Sequence, residues 1–205
     1  SHTPAPRRGE SRSGTGPPEC EPPTEHHIIR NAEHKMTHPH AMIPAPNPSP
    51  KRRVIDLEWP PYRYVPGCMP HPIRHPDGHL YGTTPHTDQA PIDIHRTWLR
   101  GLDLYDGRFY WEAHEVWEAS WKQMPKKSVE REAMTGLIQL AAATLKIHMK
   151  HISPAQHLLV SAQAHFNRVI IEQGPLFQGV SLPLCHRQVT DFKDGGNWPR
   201  IVESA

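Results

Sequence analysis

Apolar and polar positions divide this chain at about residue 91. Beyond it, Ile92, His95, Leu99, Leu102 and Tyr105 recur at three- and four-residue spacing, which predicts a helix opening at Pro91 and broken by Asp106-Gly107. A second helix is expected from about Phe109 to Lys122, stopped by Gln123-Met124-Pro125. Ser128 reads as the N-cap of a third, which runs to about His151. Ser153-Pro154 reads as the cap and first position of a fourth, carrying Leu158, Leu159, Ala162, Phe166, Val169 and Ile170 and ended by Gly174-Pro175. A short last helix is expected from Leu182 to Phe192. No alternating β pattern is legible after Pro91. The expected fold is all-α, an antiparallel bundle of four to five helices.

Before residue 91 the pattern dissolves. Nineteen of the 24 prolines lie at or before Pro91. Residues 1–52 read as a disordered tail, because so little apolar surface cannot offset the entropy of ordering. Its His26, His27, His34, His38 and His40 raise the alternative of a metal-scavenging tail, and Met36 and Met42 are candidate starts. Residues 53–90 read differently. Trp59, Tyr62, Tyr64 and Tyr81 need a surface to pack on, while prolines at 60, 61, 66, 70, 72 and 76 forbid a regular helix. We expect an extended Pro/His/aromatic arm packed on a helical domain of residues 91–193, covering its Glu112–Glu118 face. Residues 194–205 are expected to fray.

Composition narrows the functional classes. No apolar run is long enough to span a membrane. A formal net charge of +2 argues against a dedicated nucleic-acid partner. Cys20, Cys68 and Cys185 form no CxxC pair, which fits a reducing, cytoplasmic setting. Nucleotide-loop, zincin and serine-hydrolase motifs are missing, so no activity is assigned.

The candidate chemistry lies in the second helix. On a helical wheel Tyr110, Ala113, His114, Trp117 and Trp121 share one side, with Glu115 and Glu118 flanking them and Glu112 further round. His114 and Glu118 are four residues apart, and His114 and Glu115 adjacent, so an imidazole and two carboxylates can meet one ion. His71 and His79 of the arm are further candidate ligands. Mixed N/O donors suit zinc, iron or manganese. A ferritin-like di-metal centre would need a Glu-x-x-His pair, which this helix lacks. The competing reading is a structural polar network of Glu112, Glu132 and Gln139 around His114, with His114 donating a ring N–H to a carboxylate. A catalytic acid/base site is a third. The corresponding functions are a small polar pocket holding a divalent metal or small ligand, and a non-catalytic interaction scaffold in which self-association covers apolar flanks, a homo-oligomer.

GLDLYDGRFYWEAHEVWEASW followed by EREAMTGLIQLAAATLK resembles the domain-of-unknown-function family 309, in a match covering roughly Ile92 to Glu172. Glu-Ala-His-Glu after a Gly-containing turn, then a Gly-Leu-Ile-Gln helix, carry the resemblance. It implies an all-α fold and brings no activity with it.

Overall fold

Helix α1 (Ile94–Asp106) begins at Asp93, whose carboxylate accepts the Arg96 N–H at 2.9 Å. The computed structural model describes residues 42–83 and 92–203, so the expected start at Pro91 lies outside the described residues, as do the tail histidines. Helix α2 (Tyr110–Gln123) follows a turn in which Arg108 takes φ 63. Helix α3 (Val129–His148) is capped by the Ser128 hydroxyl, which accepts the Arg131 N–H at 3.2 Å. It ends three residues before the expected His151, where Lys150 takes φ 62 and turns the chain.

Helix α4 (Ile152–Gln173) starts earlier than expected. His151, not Ser153, is its N-cap, and Ser153-Pro154 lie inside the first turn. Proline is tolerated there because the first four amides of a helix have no partner within it. Strands β1 (Leu176–Phe177) and β2 (Val180–Ser181) then pair antiparallel around Gln178 and Gly179, both at positive φ, as a two-residue I′ hairpin turn requires. These two-residue strands are too short to show the alternation that the sequence lacks after Pro91. Helix α5 (Leu182–Lys193) is the fifth among the described residues and completes an all-α fold.

Helix α3 sits centrally, packed against α2, α4 and α5, while α1 packs on α2. Trp117, Leu137, Leu140 and Phe166 are fully buried between them. Two glycines permit this closeness. A Cβ on Gly136 would lie 2.2 Å from the Phe166 ring, and one on Gly101 would lie 1.9 Å from Nε1 of Trp117. Trp117 uses the space to donate that N–H to the Trp98 carbonyl at 3.3 Å.

The segments flanking the helices also pack. Ile43, placed by the sequence in the tail, is 4 % exposed and joins the core, and Arg108 donates to the Pro44 carbonyl. The expected fraying from residue 194 is not seen up to residue 203. Trp198 lies parallel to Tyr110, Ile201 is buried, and the Val202 carbonyl accepts the Ser181 N–H at 2.7 Å. The apolar area of Trp198 and Ile201 holds this stretch down. Among the described residues, no helix is long and apolar enough to cross a membrane.

Candidate functional site

The acids of α1 and α2 fall into two groups with different work. The first group faces inward and holds main-chain amides of other segments. Asp103, fully buried, accepts the Arg53 and Val54 N–H groups at 2.8 Å each and the Arg53 guanidinium at 3.1 Å. Asp106 accepts the Ile201 N–H at 2.6 Å and Arg53 at 3.0 Å. Arg53 also reaches Glu203 at 2.9 Å. Burial opposes the charge on Arg53, but its hydrogen bonds and attraction to Glu203 and Asp106 outweigh burial and raise its pKa. Burial pushes the Asp106 carboxyl up, against the Ile201 N–H and Arg53.

Glu112 belongs to this inward group. It is 5 % exposed in the first turn of α2, and its Oε1 accepts the Tyr64 N–H at 3.0 Å. Its Oε2 has no hydrogen-bond partner among the described residues. Burial therefore dominates and raises its pKa to about 7, although the N–H groups of Glu112 and Tyr64 and the charge of Arg63 pull the other way. Above it the arm is held by rings: Tyr64 and His71 meet Trp111 at centroid distances of 5.1 and 5.5 Å, and Trp59 stacks on Phe109 at 5.3 Å.

The second group faces outward. His114, Glu115 and Glu118 bring three ligand atoms within 4.8 Å of one another. His114 stands at the rim of the aromatic face, its side chain 30 % exposed. Its Nδ1 lies 3.5 Å from the Ile138 main-chain carbonyl of α3. Its Nε2 lies 4.0 Å from Glu115 Oε1 and 3.9 Å from Glu118 Oε2, so two carboxylates stand beside the ring. Donors bound to one first-row ion at ~2.1 Å sit ~3.0–3.4 Å from each other, so carboxylate rotations of under ~1 Å close the set. Burial raises the Glu115 pKa and Glu118 adds to it, while His114, Lys122 and Arg74 oppose. Lys122 Nζ lies 3.6 Å from Glu118.

The remaining candidates have other neighbours, and the three-residue group includes neither His71 nor His79. His71 Nδ1 accepts the N–H groups of Ile73 and Arg74 at 3.2 and 3.4 Å, and burial and then Arg74 lower its pKa. His79 sits edge-on to Tyr62 at 4.8 Å, and burial lowers its pKa as well. Glu132 pairs with His165 and Arg168 of α4 at 2.7 Å each. Gln139 has a buried Oε1 without a partner among the described residues. Sequence reasoning missed Asp103, Asp106 and Arg53. Only the fold shows why they matter: Asp103 stands in Arg100–Tyr105, a run of six buried residues, where an acid must find partners. A crevice of about 210 Å³ lined by Ile94, Trp98, Met124, Met134 and Phe177 shares no residue with the His/Glu group and offers mainly apolar walls.

No curated protein and no solved structure matches the chain. Residues 98–158 match the family described as Domain of unknown function (DUF309), a stretch holding α2, α3, most of α1 and the start of α4. It contains Asp103, Asp106, Glu112 and the complete His114, Glu115 and Glu118 group. Over residues 98–158 the chain is thus similar to DUF309, the family that its Glu-Ala-His-Glu and Gly-Leu-Ile-Gln helices resemble.

Proposed function

We propose that this domain binds one divalent first-row cation, zinc, iron or manganese, through His114 Nε2 and the carboxylates of Glu115 and Glu118. One observation carries the reading. His114 Nε2 lies 3.9–4.0 Å from both carboxylates, and its Nδ1 lies 3.5 Å from a main-chain carbonyl that can accept the ring N–H. Three protein donors leave coordination positions open to solvent, as at a site that exchanges ligands. Free Cys68 and Cys185 fit a reducing cytoplasmic location, which cell fractionation would check.

The test is elemental analysis of untagged protein after loading with each metal and desalting. About one metal per chain, and a raised melting temperature, are expected of the native protein and lost in His114→Ala. Less than ~0.1 metal per chain with no thermal shift would sink the proposal.

Glu112 favours a second reading, the non-catalytic scaffold. It belongs to the same Glu-Ala-His-Glu segment yet holds only the Tyr64 amide. On this reading His114→Ala lowers the melting temperature and leaves metal uptake unchanged.

A further inference from the structure

Three donors on one helix face cannot surround an ion, so what completes the coordination depends on the charges left beside it. Glu115 and Glu118 would cancel a divalent cation between them. Lys122 is half exposed, and its ion-pair partner among the described residues is Glu118, at 3.6 Å. A cation that draws in the Glu118 carboxylate therefore releases Lys122. A second cation is Arg74, exposed on the arm. Its position is set by the arm's own packing: His71 is wedged against Trp111, and His71 Nδ1 accepts the Arg74 N–H at 3.4 Å. Trp111 lies one helical turn before Glu115, and the Arg74 charge reaches Glu115. Arg74 makes no ion pair among the described residues.

Without metal, two carboxylates balance Lys122 and Arg74 beside the His114 ring. With metal, the same neighbourhood carries two uncompensated positive charges next to open coordination positions. Resting on the metal reading above, we propose that the loaded site takes up an oxyanion, a phosphate or carboxylate group, which ligates the cation and is held by Lys122 and Arg74. The half-exposed rim sets no tight enclosure, so recognition rests on charge and on metal–oxygen bonding.

The experiment measures Mn²⁺ affinity of the full chain by calorimetry, in a non-coordinating buffer, alone and with inorganic phosphate or oxalate. Free Mn²⁺ is corrected for its soluble anion complexes. An anion sharing the site should tighten Mn²⁺ binding about tenfold. Arg74→Ala and Lys122→Ala, both exposed positions, should each remove most of that gain. Lys122→Ala should also tighten Mn²⁺ binding without anion, because nothing then competes for Glu118. A gain with phosphate alone or with oxalate alone identifies which oxyanion the site takes. Mn²⁺ binding that neither anion changes, or a gain that survives both substitutions, overturns the oxyanion proposal and leaves the metal reading standing. No binding of Mn²⁺, Fe²⁺ or Zn²⁺, each titrated in the same way, overturns both.

Discussion

Replacing Glu112 by glutamine removes one buried charge and keeps the oxygen that accepts the Tyr64 amide. The comparison is close, because the glutamine NH₂ occupies the place of an Oε2 that has no partner among the described residues. A protonated glutamate there is no better satisfied. The wild-type carboxyl moves from 4.5 in the unfolded chain to about 7 in the folded one. Between those values the folded protein holds more protons than the unfolded one, so this group makes stability fall as pH rises. The cost is nearly absent below pH 4.5 and complete above pH 7. A shift of that size corresponds to about 3 kcal/mol at pH 8 and under about 1 kcal/mol at pH 5. Side-chain exposure of 5 % leaves little solvent screening to reduce it.

Urea denaturation of both proteins at pH 5 and pH 8 reads the difference directly. Every other titrating group is common to the pair and cancels. We expect Glu112→Gln to be the more stable protein at pH 8 by about 3 kcal/mol, which a thermal scan would read as roughly 6–12 °C for a chain of this size. At pH 5 the two should nearly coincide. A gap of equal size at both pH values, or a wild type more stable at pH 8, would refute the reasoning. Either result would mean that the native carboxylate is a well-compensated ion.

Two further substitutions probe the frame around the site. Asp103→Ala strands the Arg53 and Val54 amides and the Arg53 guanidinium, so urea denaturation should show a loss of about 3–5 kcal/mol. A loss below about 1 kcal/mol would show that Asp103 does not hold this segment. Gly101→Ala places a methyl 1.9 Å from the Trp117 indole nitrogen and should cost about 1–3 kcal/mol of overpacking. An unchanged melting temperature would contradict that close approach.

The helices were legible because each buries one continuous apolar stripe, and Ala155, Leu159, Ala162, Phe166 and Val169 of α4 form such a row. Helix boundaries were less so. Pro154 marks the first turn but does not say which position it fills, since any of the first few amides can be missing without loss. The outward His114, Glu115 and Glu118 group was legible from spacing alone, because all three side chains leave one helix. Partners contributed by other helices were not. Glu132 and Gln139 do share a face of α3, but that face meets α4, and His165 and Arg168 take up Glu132. For His71 and His79, the sequence showed imidazoles near each other without showing that Trp111 and Tyr62 pack against their rings.

The least legible contacts share a chemical reason. Asp103, Asp106 and Glu112 lie inside the family match at residues 98–158, yet each holds a segment outside it: Arg53 and Val54, Ile201, and Tyr64. In every case a carboxylate accepts a main-chain N–H. Any residue but proline offers that donor, so the holding acid leaves no mark on the sequence it holds. The same fact separates the acids of one short stretch into two kinds. An acid whose partner is a buried amide has little left to give a ligand, and Glu112 titrates near neutrality because even that partner is too few. Glu115 and Glu118, roughly a third exposed, face an imidazole nitrogen and a half-exposed lysine. The proposed ion would break no main-chain contact that holds the arm. Site and frame therefore share α2, with Asp103 and Asp106 of α1 added to the frame, but draw on different carboxylates, so substitutions at His114 or Lys122 test the proposed binding while those at Asp103 or Glu112 report on stability.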